Sequence, residues 1–232
     1  MYRMGKYKRT DPMSVLVCKN YPILLVMSRF GIPLGFGDKT IEEVCVDNKV
    51  DVDTFLAIIN FLLDEDHDAS GNAPFSIEAM MRYLHNSHDY FLHFRLPTLR
   101  RNLLEAIDCG PKDVSVAILS FFDEYVTEVQ KHMLYEEQTV FPYVRALLEE
   151  KPLTKEYNIG IFSKRHDQVE AKLGELKNIL IKYYPAKSSN ELNAVLFDIF
   201  ACEEDLASHN YIEDFLFVPA IQKLELKRGR NL

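Results

Sequence analysis

Apolar positions recur at helical spacing along this chain in two groups. The first is short: Val15 to Phe30 and Val52 to Leu63, joined by a turn through Gly31, Pro33, Gly35 and Gly37. The second consists of four long stretches, near residues 76–108, 113–149, 156–183 and 189–225. Each break between them has a mechanism. Gly110 followed by Pro111 is a C-terminal stop, Pro152 and Pro185 cannot continue a helix, and Ser188 with Glu191 makes a capping box for the last stretch. Between the two groups, Asp64 to Pro74 is acidic and contains Gly71 and Asn72, which reads as a connection. The pattern therefore predicts an all-α protein: a small helical N-terminal domain over residues 1–66, a linker over 67–75, and an up-down-up-down four-helix bundle over 76–232.

Composition narrows the classes of partner. The chain has 232 residues, 47% of them hydrophobic, enough for a proper core without disulfide staples. Its formal charge is -8, so attraction to nucleic acid or to an anionic membrane surface is disfavoured. The turn and helices of the N-terminal unit admit a helix-turn-helix reading, but Asp38, Glu42, Glu43 and Asp47 would repel phosphates. Cys18, Cys45, Cys109 and Cys202 are scattered, with no C-x-x-C pair, and favour a reducing cytoplasm. The apolar stretch Ser14 to Cys18 is interrupted by Lys19 before a signal-peptide core is complete. Runs such as Tyr21 to Met27 fall well short of the roughly 20 residues that a membrane span needs.

The histidines expose an internal repeat. His88-Asp89 and His166-Asp167 stand 78 residues apart, while His132-x-x-x-Glu136 and His209-x-x-x-Glu213 stand 77 apart. Pro142 and Pro219 each follow the glutamate by six residues, and the missing amide predicts a kink at the same place in both helices. Consecutive antiparallel helices bring two residues to one level when the turn lies midway between them. Gly110 is the midpoint of His88 and His132, Glu149 that of His132 and His166, and Lys187 and Ser188 flank that of His166 and His209. Four imidazoles are thus expected at one depth of the bundle.

Residues four apart share a helix face, so each His-x-x-x-Glu pair directs an imidazole and a carboxylate inward. So many polar groups in an apolar interior would cost several kcal/mol unless cations satisfied them. The six candidate ligands are His88, His132, Glu136, His166, His209 and Glu213. Carboxylates can bridge, so two iron ions sharing both glutamates, with an oxo or hydroxo bridge, fit this donor set. Manganese or zinc are the substitutes, although the set lacks the thiolates of structural zinc sites and is too rich in nitrogen for calcium or magnesium. His85, three residues before His88, is the rival for the first position, although the repeat favours His88. Glu170 is a seventh candidate, with an exposed surface glutamate as the commoner case. His67 and His93 have no counterpart in the repeat and read as surface or linker residues. Tyr83, Tyr90, Tyr125 and Phe141 read as core packing.

These motifs resemble the hemerythrin-like (HHE) proteins. The matching stretches are His132-Met133-Leu134-Tyr135-Glu136-Glu137-Gln138 followed by Phe141-Pro142, then Arg165-His166-Asp167, then His209-Asn210-Tyr211-Ile212-Glu213 with Pro219. Within that group the whole chain is most similar to the di-iron proteins for repair of iron centres, which place a small N-terminal domain before such a bundle. The resemblance implies a di-iron centre held by four histidines and two glutamates, which fall on the residues the repeat selects. It also implies a role in nitrosative or oxidative stress, restoring damaged iron-sulfur clusters by iron delivery. Two departures accompany it. Where that family carries adjacent cysteines before a glycine-rich turn, this chain has Gly35 and Phe36, and Leu96-Pro97 stands one residue further from His88 than the family's spacing.

The same resemblance leaves two alternatives: a module that reversibly binds or senses oxygen or nitric oxide, and a di-iron redox enzyme such as a peroxidase or nitric oxide reductase. The partners implied are oxygen, nitric oxide or peroxide and damaged iron-sulfur proteins, with no nucleic acid and no membrane. Pairing as a homodimer is left open.

Overall fold

The computed structural model describes residues 7–64, 75–107, 112–152, 157–164, 167–184 and 190–229. Among these residues all regular elements are helical, with one isolated antiparallel bridge between Pro12 and Thr40. The proposed linker falls almost wholly outside them.

The N-terminal unit holds four short helices: α1 (Met13–Lys19), α2 (Ile23–Arg29), α3 (Ile41–Asp47) and α4 (Val52–Leu62). The single helix expected over Val15 to Phe30 is split because Pro22, which has no amide proton, stands at the N-cap of α2. Gly31 closes α2 at a φ of +69°. There the Gly31 and Ile32 amides donate to the Ser28 and Met27 carbonyls, the pairing that a left-handed residue after a helix permits. Helix α3 occupies residues that the hydrophobic pattern passes over. A capping box starts it: the Glu43 amide donates to the Thr40 hydroxyl, and the Thr40 amide donates to the Glu43 carboxylate.

The bundle comprises α5 (Ile77–Tyr90), α6 (Leu96–Ile107), α7 (Lys112–Tyr135), α8 (Phe141–Leu148), α9 (Asp167–Tyr183), α10 (Asn190–Ile212) and α11 (Val218–Lys227). Three pairs of these, α5 with α6, α7 with α8 and α10 with α11, are single long helices interrupted by a π-type turn. The turns are Phe91–Arg95, Glu136–Val140 and Glu213–Phe217. Neighbours close a ring in which α6 packs on α7, α7 on α9, α9 on α10 and α10 on α6. Ion pairs Arg100 with Asp123 and Lys177 with Glu203 join consecutive helices of this ring.

The kinks expected at Pro142 and Pro219 take the form of these widened turns, and Pro97 has one as well. In each case the residue before the proline donates its amide to the carbonyl five back: Leu96 to Phe91, Phe141 to Glu136 and Val218 to Glu213. Widening relieves the clash between a proline ring and the carbonyl four residues earlier. The third long helix also begins later than expected. A 3₁₀ stretch, Ile159–Lys164, precedes α9. It contains Gly160, a poor helix former, and its first amide, that of Ile159, donates to the Glu225 carboxylate of α11 at 3.0 Å.

Two apolar cores lie end to end. One unites the N-terminal helices with the first half of α5, the α8 and α11 segments and the 3₁₀ stretch. The other is formed by α6, α7, α9 and α10. On three helices the residues between the two cores are polar ones: His88 between Leu84 and Phe91, Glu136 between Met133 and Val140, and His209 between Leu206 and Ile212.

Candidate metal centre

Five of the six candidate donors lie among the described residues, and each of these stands at or beside a π-type turn. His88, His132 and His209 lie in the last turns of α5, α7 and α10, and Glu136 and Glu213 open the turns that follow the latter two. Four-residue spacing stacks each imidazole under its own glutamate. His132 Nε2 lies 3.1 Å from Glu136 Oε1, and His209 Nε2 lies 3.2 Å from Glu213 Oε1. The first helix contributes His88, whose Nε2 is 3.2 Å from Glu136 Oε2. His88, Glu136, His209 and Glu213 each offer one donor atom within 4.8 Å of the others, and all four side chains are buried. The His88 and His209 rings meet edge to face at 5.2 Å.

Phenylalanine rings hold the imidazoles. Phe141 stacks on His88 at 5.7 Å, Phe162 stacks on His132 at 6.0 Å, and Phe91 meets His209 edge-on at 5.9 Å. This wall comes from the π-type turns of two long helices, where Phe91 opens one and Phe141 follows the other, and from the 3₁₀ stretch, so the irregular segments are the ones that shape the site.

The electrostatics are severe. Burial drives the Glu136 carboxyl well above the ordinary carboxylate range, and the nearby Glu213 adds to the rise. Burial also pulls His88 down, but the close negative charges of Glu136 and Glu213 and the hydrogen bond to Glu137 outweigh it, leaving the group raised to about 10. His209, wholly buried, is lowered by that burial. Both oxygens of Glu136 and both ring nitrogens of His209 lack an aligned hydrogen bond. Close but misaligned N and O atoms are unfavourable as hydrogen bonds and suitable as ligands of a common ion. Donors bound to one first-row metal at about 2.1 Å and at right angles to each other stand about 3 Å apart. Cations would neutralise the two carboxylates and use the idle lone pairs, so the donor set fits a metal site on its chemistry.

The sequence candidates separate as follows. His88, Glu136, His209 and Glu213 come together, and His132 joins them through Glu136. His166 lies outside the described residues, as do His67 and the side chain of Glu170. His85 stays out of the cluster: its side chain is 50% exposed, against 3% for His88. His93 is exposed and beside Asp89. Hydrophobic patterning gave no hint of Glu137, whose carboxylate touches both His85 and His88. The signal for it was the doubled acid Glu136-Glu137, legible only once the facing helix is known.

Residues 79–221, well over half the chain, match the sequence model of the hemerythrin HHE cation-binding domain. The chain belongs to the hemerythrin HHE family. The match spans all of the gathered donors, and the description of this domain as cation-binding agrees with the chemistry of the cluster. No curated protein matches the chain. Among the described residues of this HHE protein, no helix is long and apolar enough to cross a membrane.

Proposed function

We propose that this HHE protein holds two iron ions through His88, His132, Glu136, His166, His209 and Glu213, and that it restores damaged iron-sulfur clusters under nitrosative or oxidative stress by delivering iron. The observation that carries the reading is the buried carboxylates of Glu136 and Glu213 gathered within 4.8 Å of the His88 and His209 imidazole nitrogens, with both Glu136 oxygens lacking an aligned hydrogen bond. Imidazole and carboxylate donors suit iron, and without thiolates they leave it exchangeable. Iron supplies one-electron chemistry toward oxygen, nitric oxide or peroxide, the small molecules this reading assigns as ligands. The chain's own residues do the remainder. Glu136 and Glu213 balance the metal charge, the two cores exclude bulk water, and Phe91, Phe141 and Phe162 fix the ring planes.

Mixing the iron-loaded protein with a client enzyme whose cluster has been damaged by nitric oxide should return part of that enzyme's activity. Metal-free protein should return none. Iron-loaded protein that restores nothing across several clients overturns the repair role.

The phenylalanine wall favours a second reading, a module that reversibly binds oxygen or nitric oxide, because an apolar lining suits an uncharged diatomic molecule. A stable, reversible adduct in stopped-flow spectra supports it over repair. Sustained turnover with an electron donor marks a redox enzyme instead.

A further inference from the structure

We infer that Glu137 is a positioning residue for the metal centre, holding His88 so that its Nε2 is presented to the donor cluster, with His85 bracing Glu137 from the exposed side. This rests on the di-iron reading above and assigns work to two residues that the ligand set leaves out.

Glu137 follows Glu136 directly and is turned about 100° from it around the helix axis, toward α5. Its Oε1 lies 2.7 Å from His88 Nδ1 and 2.9 Å from His85 Nδ1. An ionised carboxylate only accepts hydrogen bonds, so both Nδ1 atoms carry the proton and donate. Once a cation displaces the second proton, an imidazole that keeps its proton on Nδ1 has its lone pair on Nε2, and His88 Nε2 is the atom that faces Glu136 Oε2 at 3.2 Å. One carboxylate thus fixes both the orientation of the ring and which nitrogen is free to ligate. Phe141 stacks parallel to the same ring, with 4° between planes, so that rotation out of the Glu137 hydrogen bond is blocked by packing.

His85 completes the arrangement. It sits three residues before His88, on the same face of α5, so both rings reach a single oxygen. Holding that oxygen from two sides limits the rotamers of Glu137, whose side chain is only partly buried. His209 contrasts with this: its Nδ1 has no aligned hydrogen bond, and packing against Phe91 seats it. The two imidazoles that meet at the cluster are therefore held by different means, and only His88 should respond to loss of a neighbouring carboxylate.

Full-length wild type, Glu137→Ala and Glu137→Gln proteins are compared in two measurements. Anaerobic titration with ferrous iron against a competing chelator should show affinity for Glu137→Ala lowered about 10- to 100-fold, the usual effect of losing the partner of a ligating histidine. Glu137→Gln keeps an acceptor oxygen and should recover most of that loss. In chelated protein, the Nδ1–H proton of His88 should appear downfield and protected from solvent exchange in wild type, persist in Glu137→Gln and vanish in Glu137→Ala. Unchanged iron affinity in a folded Glu137→Ala protein overturns the inference. So does a protected His88 Nδ1–H proton that survives in Glu137→Ala. Wild type that binds no iron at all defeats the di-iron reading instead, while the ring proton still decides whether Glu137 holds His88.

Discussion

Glu136 is a wholly buried carboxylate beside a second one, Glu213. Without a cation the fold relieves this by holding protons. Glu136 and His88 both bind a proton more tightly folded than unfolded, so their contribution to stability is present at low pH and lost as pH rises. For His88 the loss runs from about 6.5 to about 10. His209 acts oppositely, but only below its ordinary value of 6.5. Metal-free protein should therefore melt at progressively lower temperature between pH 7 and pH 10. The gap between metal-loaded and metal-free melting temperatures should widen over the same range, because metal binding displaces those protons. A metal-free melting temperature that is flat or rising over that range contradicts the protonation assigned here. The pairing of His132 with Glu136 and of His209 with Glu213 was legible in the sequence because helical spacing alone dictates it. The choice of His88 over His85 rested on repeat arithmetic, and burial separates the two in the direction that the arithmetic favours. Glu137 was not legible, since an acid beside a ligand looks like any solvated glutamate until a facing helix supplies its partners.

Helices fix where these side chains meet, and two features of their arrangement escaped the sequence pattern. The π-type turns did so because proline announces a disturbance without saying whether the helix bends or widens. The attachment of the N-terminal unit did so because its apolar residues read equally well as an independent core. In the fold, α2 sends Arg29 into the bundle, where its guanidinium is 2.6 Å from Asp205 of α10 and about 5 Å above the rings of Tyr90 and Phe91. Both partners are buried. Breaking such a pair leaves an uncompensated charge, so Arg29→Ala should cost about 3–5 kcal/mol in urea unfolding. Replacing both partners with apolar residues, Arg29→Met with Asp205→Leu, should recover most of that loss. If Arg29→Ala costs less than about 1 kcal/mol, the ion pair does not lock α2 onto the bundle. Asp205 lies one turn before His209, which places this junction next to the donor layer.

At the scale of the whole molecule, a polar layer separates two apolar cores, and the N-terminal helices pack into only one of them. The all-α architecture and its four long helices were legible because 3.6-residue periodicity and proline or glycine breaks act locally. The common depth of the donors among the described residues was legible because turns midway between histidines leave an antiparallel bundle little choice, while that of His166 lies outside them. The merging of the N-terminal unit with one end of the bundle was not, since it depends on contacts between residues far apart, such as Phe30 with Tyr83. Everything functional depends on whether that polar layer binds metal as a pair of ions. The most direct test is metal analysis, with an optical spectrum, of full-length protein purified without oxygen, beside a His132→Ala and His209→Ala double variant whose helical content is checked by circular dichroism. The account predicts about two irons per chain in wild type and their joint loss from a folded variant. Wild type that takes up no iron, or a variant that keeps both ions, would contradict it.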